Sequence, residues 1–344
     1  MRRYWVAPAA ALLLSGCAVE QPKWITDRPD AYCYKTANDS CLADLISAHL
    51  AKSPEGPARN EAMWRAMSAV QIAGTALPDS LKALRGAAEA TSCTAKGYAW
   101  DEASKAALEA KQGRFAHALA SAKQVEEGDA RTYALSMVVQ FASEAQNDKI
   151  LGEALDLLSQ ENERVYMSSL LLRLQVLLAQ GDLERSSALQ NHLLAFFARE
   201  PATGVEPAME VAISYLARGM KLDARDFLAK AGTEIPGVRS ADNMKLFSLT
   251  GQVIDGYRPI PDDFYQFSSD DARLRAYLVL ASYYRNIGDR SMVTTMLVDA
   301  SRFTQKASFK ANRTDVAGRF ASFLLAGQQG LSPEAVDKSA DKSL

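Results

Sequence analysis

"LARGMKLDARDFL", residues 216–228, carries the pattern that decides the fold. An apolar helical stretch runs into Gly219, a new amphipathic segment starts at once, and Ala224 follows five positions after the glycine. Glycine lets a helix end in the left-handed region, and a small residue there lets the two helices approach closely. Similar punctuation appears in "AKQGRFAHAL" (110–119) at Gly113 and in "EAQNDKILGEAL" (144–155) at Asn147. It returns in "LAQGDLERSSAL" (178–189) at Gly181 and "YRNIGDRSMVTTML" (284–297) at Gly288. Two steps of 34 residues lead from Gly113 through Asn147 to Gly181; steps of 38 and 69 follow, the last close to two repeats. From about residue 38 onward, apolar positions recur at helical spacing and no stretch sustains strand alternation.

A fixed period of this kind is the mark of a repeat architecture. The 34-residue unit of paired helices resembles the tetratricopeptide repeat over roughly residues 98–305, with weaker echoes around Gly74 and Gly327. The Gly219 unit fits best, with Ala212 and Tyr215 before the turn, Ala224 and Ala231 after it, and Pro236 at its end. The Gly288 unit keeps Ala281, Tyr284 and Ala300, and the Gly113 unit keeps Ala106 and Ala118. Gly152 and Ser186 stand at the small position of the other two, and the Trp of the family's first helix is absent from most units. The expected fold class is all-α, an α-solenoid of helix-turn-helix (TPR-like) repeats; another helix-pair solenoid or an irregular bundle is the competing architecture. The expected organisation is a helical region over 38–97, repeats over 98–330 and a flexible tail over 331–344. One stretch, "DGYRPIPDDFYQFSSDDA" (255–272), interrupts the array, because Pro259 and Pro261 cannot continue a helix. It reads as a lid, or as a connector whose Phe264, Tyr265 and Phe267 fill a gap, with Ser268 or Ser269 starting the next helix.

The first residues carry a different message. Arg2 and Arg3 precede an apolar run from Tyr4 to Leu14, too short to span a bilayer and interrupted by Pro8. Leu14-Ser15-Gly16-Cys17 then resembles the lipobox of bacterial lipoproteins. The resemblance implies a signal peptide over residues 1–16, cleavage before Cys17, a covalent lipid on that cysteine, and a lipidated stem over 17–37. In enteric members of the family an Asp after the cysteine favours the inner membrane, so Ala18 points to the outer membrane, facing the periplasm. Acyl chains of this kind hold a protein at a membrane when two or more are attached.

Loss of Arg2 and Arg3 from the 39 basic residues leaves 37 against 41 acidic, with no concentrated basic surface for nucleic acid. Cys33, Cys41 and Cys93 leave three pairings open. Cys33 with Cys41 is favoured because turn-prone Asn38-Asp39 lies between them. No metal site or dissociable cofactor is expected, since His49, His117 and His192 are scattered. No nucleophile elbow, phosphate loop or dinucleotide fingerprint appears, and no Glu-Ser pair of the lytic transglycosylase kind. The chain is therefore expected not to be an enzyme.

Helical solenoids bind partners, generally on the concave side formed by the first helix of each pair. Register on the repeat places Trp100, Met137, Phe141, Glu144, Leu171, Gln175, Met209, Ile213, Arg275, Leu278, Ser282 and Arg285 there. A groove of this composition suits an amphipathic or extended peptide, with Arg275 and Arg285 pairing carboxylates. The expected partner is another cell-envelope protein, and the expected role that of a scaffold or adaptor. The resemblance extends such roles to pilus or secretion assembly and to wall-synthesis regulation. The competing class is an envelope enzyme or solute-binding lipoprotein, which calls for a closed pocket with converging titratable groups.

Overall fold

The computed structural model describes residues 38–91, 95–126 and 128–327. The signal segment, Cys17, the stem with Cys33, Cys93 and the tail 331–344 lie outside the described residues. The fold is all-α: among the described residues there are helices and no strand. None of these helices is long and apolar enough to cross a membrane.

After α1 (Asp39–Ala51) the helices alternate between an inner and an outer member. The pairs are α2 (Pro57–Ile72) with α3 (Asp79–Thr91), α4 (Ala95–Lys111) with α5 (Phe115–Gln124), and α6 (Asp129–Glu144) with α7 (Asp148–Glu161). Then come α8 (Glu163–Gln180) with α9 (Leu183–Arg199), and α10 (Pro201–Ala217) with α11 (Lys221–Glu234). Next are α12 (Ala241–Ile254) with the one-turn α13 (Pro261–Tyr265), α14 (Asp270–Asn286) with α15 (Arg290–Gln305), and α16 (Arg313–Ala326). Short polar side chains start many of them. Asn147, Asp182, Ser269 and Asp289 each accept a hydrogen bond from the backbone N–H three residues on, which satisfies one of the amides a helix start leaves free.

Each inner helix from α2 to α14 ends in one left-handed residue: Gly74, Gly113, Gln146, Gly181, Gly219, Gly256 and Gly288. Gly327, after α16, is not left-handed, at φ −67°. Two details of the sequence reading change. The 69-residue step contains another turn, at Gly256, whose outer helix the prolines shorten to five residues. The third turn rests on Gln146 (φ 55°), one residue before Asn147, which instead caps α7. Counting five from Gln146 reaches Leu151, which is buried, while a Cβ on Gly152 would touch nothing within 4 Å. Gly152 is thus not the small contact residue. A side chain in the left-handed region is strained, so Gln146→Gly should stabilise the protein by about 0.5–1 kcal/mol, read as a higher urea midpoint with unchanged slope.

Neighbouring inner helices touch in order, and the order closes on itself: α16 packs against α1 and α2, and α2 against α4. The array is therefore a ring, not an open groove. α1 takes the place of the outer helix that α16 lacks. Its start lies near Arg285 and its end near Gln305, so it runs opposite to α16, as an outer helix does. At this seam His49 is fully buried, stacks on Phe320 at 5.9 Å, and donates from Nε2 to Thr304 Oγ1 at 3.1 Å. One apolar core runs through α1–α7 and α12–α16 across the seam and on both sides of residue 97; a second is built from α8–α11. In the 255–272 stretch Phe264 stacks on Tyr277 at 3.8 Å and Phe267 is buried, while Tyr265 is exposed. Cys41 is buried and disulfide-bonded, with its partner outside the described residues.

Candidate binding cavity

The ring surrounds a cavity of about 1570 Å³ that is partly open to solvent. Residues of α2, α6, α8, α10, α12, α14 and α16 wall it. Apolar side chains such as Met137, Leu172, Ile213, Leu278 and Phe323 line it together with Ser136, Gln175, Ser214 and Ser282 and with the Glu61–Arg65 ion pair of α2. The α4 helix stands behind this wall, because α2 and α6 meet in front of it through a Tyr133 Oη to Ser68 Oγ contact at 2.9 Å.

At the end where the inner helices begin, charged side chains from three of them converge. Arg275 (α14) donates to Glu210 Oε1 at 3.1 Å, to Asn243 Oδ1 at 3.2 Å and to the Glu206 carbonyl at 3.3 Å. Arg319 (α16) grips Asp271 through two bonds of 3.0 and 2.9 Å and reaches Glu206 Oε1 at 2.6 Å. Burial pushes the Glu206 carboxyl up, but the hydrogen bond from Arg319 and the charges of Arg319 and Arg275 outweigh it and hold it below the ordinary range. These contacts bridge α10, α12, α14 and α16.

At the other end sit Arg218 and Arg285. Arg285 donates to the Phe323 carbonyl at 2.8 Å and lies 4.1 Å from the centre of that ring. Burial lowers its guanidinium to about 10, partly offset by Asp39.

Of the side chains expected on the concave face, Met137, Gln175, Ile213, Arg275, Leu278, Ser282 and Arg285 line the cavity. The others do not. Trp100 is buried on α4 against the Tyr133 ring at 5.5 Å, and Phe141 and Met209 are core residues. Glu144, two turns beyond Met137, is half-buried off the cavity, and Leu171 packs on the second core. The register of an open array exposes a long stripe on each inner helix; a closed ring leaves only a short part of it facing inward. Glu206, Glu210, Asp271 and Arg319 were not singled out from the sequence. Glu206 and Glu210 share α10, but Asp271 is on α14 and Arg319 on α16, so no sequence spacing joins the cluster.

Arg275 is only 8% exposed and neutralises two carboxylates. Arg275→Ala should cost about 2–4 kcal/mol, below the 3–5 of a fully buried pair because Glu206 and Glu210 are part-exposed. Urea unfolding measures it, and a cost within about 0.5 kcal/mol of zero would refute the structural role. Among the described residues no group of three or more His, Cys, Asp or Glu is placed to hold a metal ion. Compared with protein-family models, curated proteins and solved structures, the chain matches none.

Proposed function

We propose that this chain is a lipid-anchored adaptor of the bacterial cell envelope, a ring of degenerate TPR-like helix pairs that holds a segment of another envelope protein in its central cavity. The observation that carries the reading is the cavity wall, assembled from seven inner helices and mainly apolar, with polar and charged side chains set among the apolar ones. Apolar walls with a few placed polar groups are the usual form of a binding site. Lipidation at Cys17 supports an envelope location through the Leu14–Cys17 motif.

A photo-crosslinking residue at Ser282, on the wall, should give one discrete envelope-protein adduct in cells. The same residue at Lys230, on the exposed outside of α11, should not. Equal labelling from both positions would refute the cavity assignment. Cys17→Ser should release the protein from the membrane fraction; unchanged fractionation would refute the anchor.

The second reading, a solute-binding pocket, is favoured by closure of the ring and by convergence of Glu206, Asp271, Arg275 and Arg319. It predicts no protein adduct from Ser282 and a small molecule that travels with the purified protein.

A further inference from the structure

Three arginines on the cavity wall can be compared atom by atom. Arg319 holds the Asp271 carboxylate between Nε and Nη2, at 3.0 and 2.9 Å. Arg275 turns the same two nitrogens on Glu210 Oε1, at 3.4 and 3.1 Å. This edge of a guanidinium presents paired N–H groups whose spacing matches a carboxylate. Arg285 differs. Its Nη1 donates to the Phe323 carbonyl, while Nε and Nη2 have no hydrogen-bond or ion-pair partner among the described residues.

Arg285 is also held in place. Its guanidinium lies over the Phe323 ring, 4.1 Å from the centre, and a side chain at Gly327 would come within 2.5 Å of Nη1. A donor fixed in this way loses little freedom when it takes a partner. The ends of α14 and α16 favour a cation here, and the bond to Phe323 caps a helix. Those structural roles use Nη1 and the face of the guanidinium; they do not use the Nε–Nη2 edge. A charge withdrawn from water without a counter-charge is costly, and Asp39 offsets the burial of Arg285 only in part.

The charges of the wall are unevenly placed. Its carboxylates are Glu61, Glu206, Glu210, Asp271 and Asp315, and none stands in the last turn of its helix. Glu61 pairs with Arg65, Glu206 and Glu210 with Arg275, and Asp271 with Arg319. Arg218 and Arg285 stand at the ends of α10 and α14. Among the described residues, the wall at that end carries these two cations and no carboxylate. Acids on the surrounding turns, such as Asp255, Asp262 and Asp263, do not line the cavity. The wall beside Arg285 is apolar: Phe323 touches it, and Leu278 lies two turns before it on the same face of α14.

We infer that this mouth binds a carboxylate carried on an apolar body, the carboxylate side-on to Nε and Nη2 of Arg285 and the apolar part against Phe323 and Leu278, with Arg218 adding positive charge. The inference rests on the reading of the cavity as a binding site and names what it selects. In the adaptor reading the carboxylate is an Asp or Glu flanked by apolar residues of the bound segment. In the solute reading it belongs to a small amphipathic acid.

Octanoate and octanamide, alike in shape and different in charge, are titrated into the purified chain from residue 18, with its arginines labelled with nitrogen-15. The Arg285 Nε–H signal is identified by its absence from Arg285→Lys. Octanoate should shift this signal and bind about tenfold more tightly than octanamide, as expected for hydrogen bonds between charged groups. Arg285→Gln should remove the preference and keep the binding of octanamide, which shows the cavity intact. Equal binding of the two probes, no binding of octanoate at millimolar concentration, or a preference that survives Arg285→Gln would overturn the inference. The Ser282 crosslink identifies the source of the carboxylate. Loss of the envelope-protein adduct in Arg285→Gln assigns it to the partner protein. No adduct from the wild type, with the octanoate preference present, upholds the carboxylate site and refutes the protein segment. An adduct unchanged by Arg285→Gln upholds the cavity assignment and overturns the carboxylate at Arg285.

Discussion

Phe320→Ala should destabilise the protein by about 3–5 kcal/mol, the cost of deleting a fully buried phenyl ring. The ring lies at the seam, where it stacks on His49 of α1, and its side chain is fully buried. Loss of this contact should also have a local signature. Amides of α1 should lose hydrogen-exchange protection ahead of the rest, because α1 is held to α16 by packing across the join of the chain's two ends. Phe227→Ala is the comparison: Phe227 is equally buried, but in the second core, on α11. It should cost a similar amount and leave α1 no more open than the other helices. If both variants open α1 alike, closure of the ring does not depend on the seam.

Acid should open the same seam. His49 is fully buried, and burial, Arg313 and Lys52, in that order, lower its imidazole from 6.5 to about 3. The hydrogen bonds agree with a neutral ring. Thr304 Oγ1 donates to the Ser301 carbonyl and so accepts from His49 Nε2, while Nδ1 faces the Arg313 guanidinium at 3.4 Å. A proton on Nδ1 would meet a cation. Below pH 6.5 the unfolded chain therefore binds a proton that the folded chain refuses until about pH 3. Stability is fully present above the unfolded value and falls as the pH drops through this window, by about 1.4 kcal/mol per pH unit. His49→Gln keeps an amide donor for Thr304 and does not titrate. Across pH 6 to 4 in urea unfolding, the wild type should lose about 2–3 kcal/mol more than this variant. Parallel pH profiles would show that His49 is not kept neutral.

The sequence was sufficient for the helices, their ends and much of their pairing. Gly113, Gly181, Gly219 and Gly288 are legible because a helix end in the left-handed region favours glycine, and that preference acts locally. Gln146 was misread for the same reason, since a non-glycine in that conformation leaves no mark and the neighbouring Asn147 looks like the turn. The truncated pair around Gly256 was visible only as a gap, because the prolines that shorten α13 hid the period.

Ring closure was decided by tertiary structure alone. It depends on contacts such as His49 with Thr304, 255 residues apart, and on small angles between successive pairs that add up around the array. No local spacing encodes that sum. The cavity followed from the closure: Met137, Gln175, Arg275, Ser282 and Arg285 remained on its wall, while Trp100, Phe141 and Met209 went into the packing behind it. Glu206, Asp271 and Arg319 became a cluster for the same reason, each carried to one mouth by a different helix. Residue type and helical period are properties of the chain, which the sequence displays. Which faces turn inward, and which distant charges meet, depends on how the helices stack around the ring.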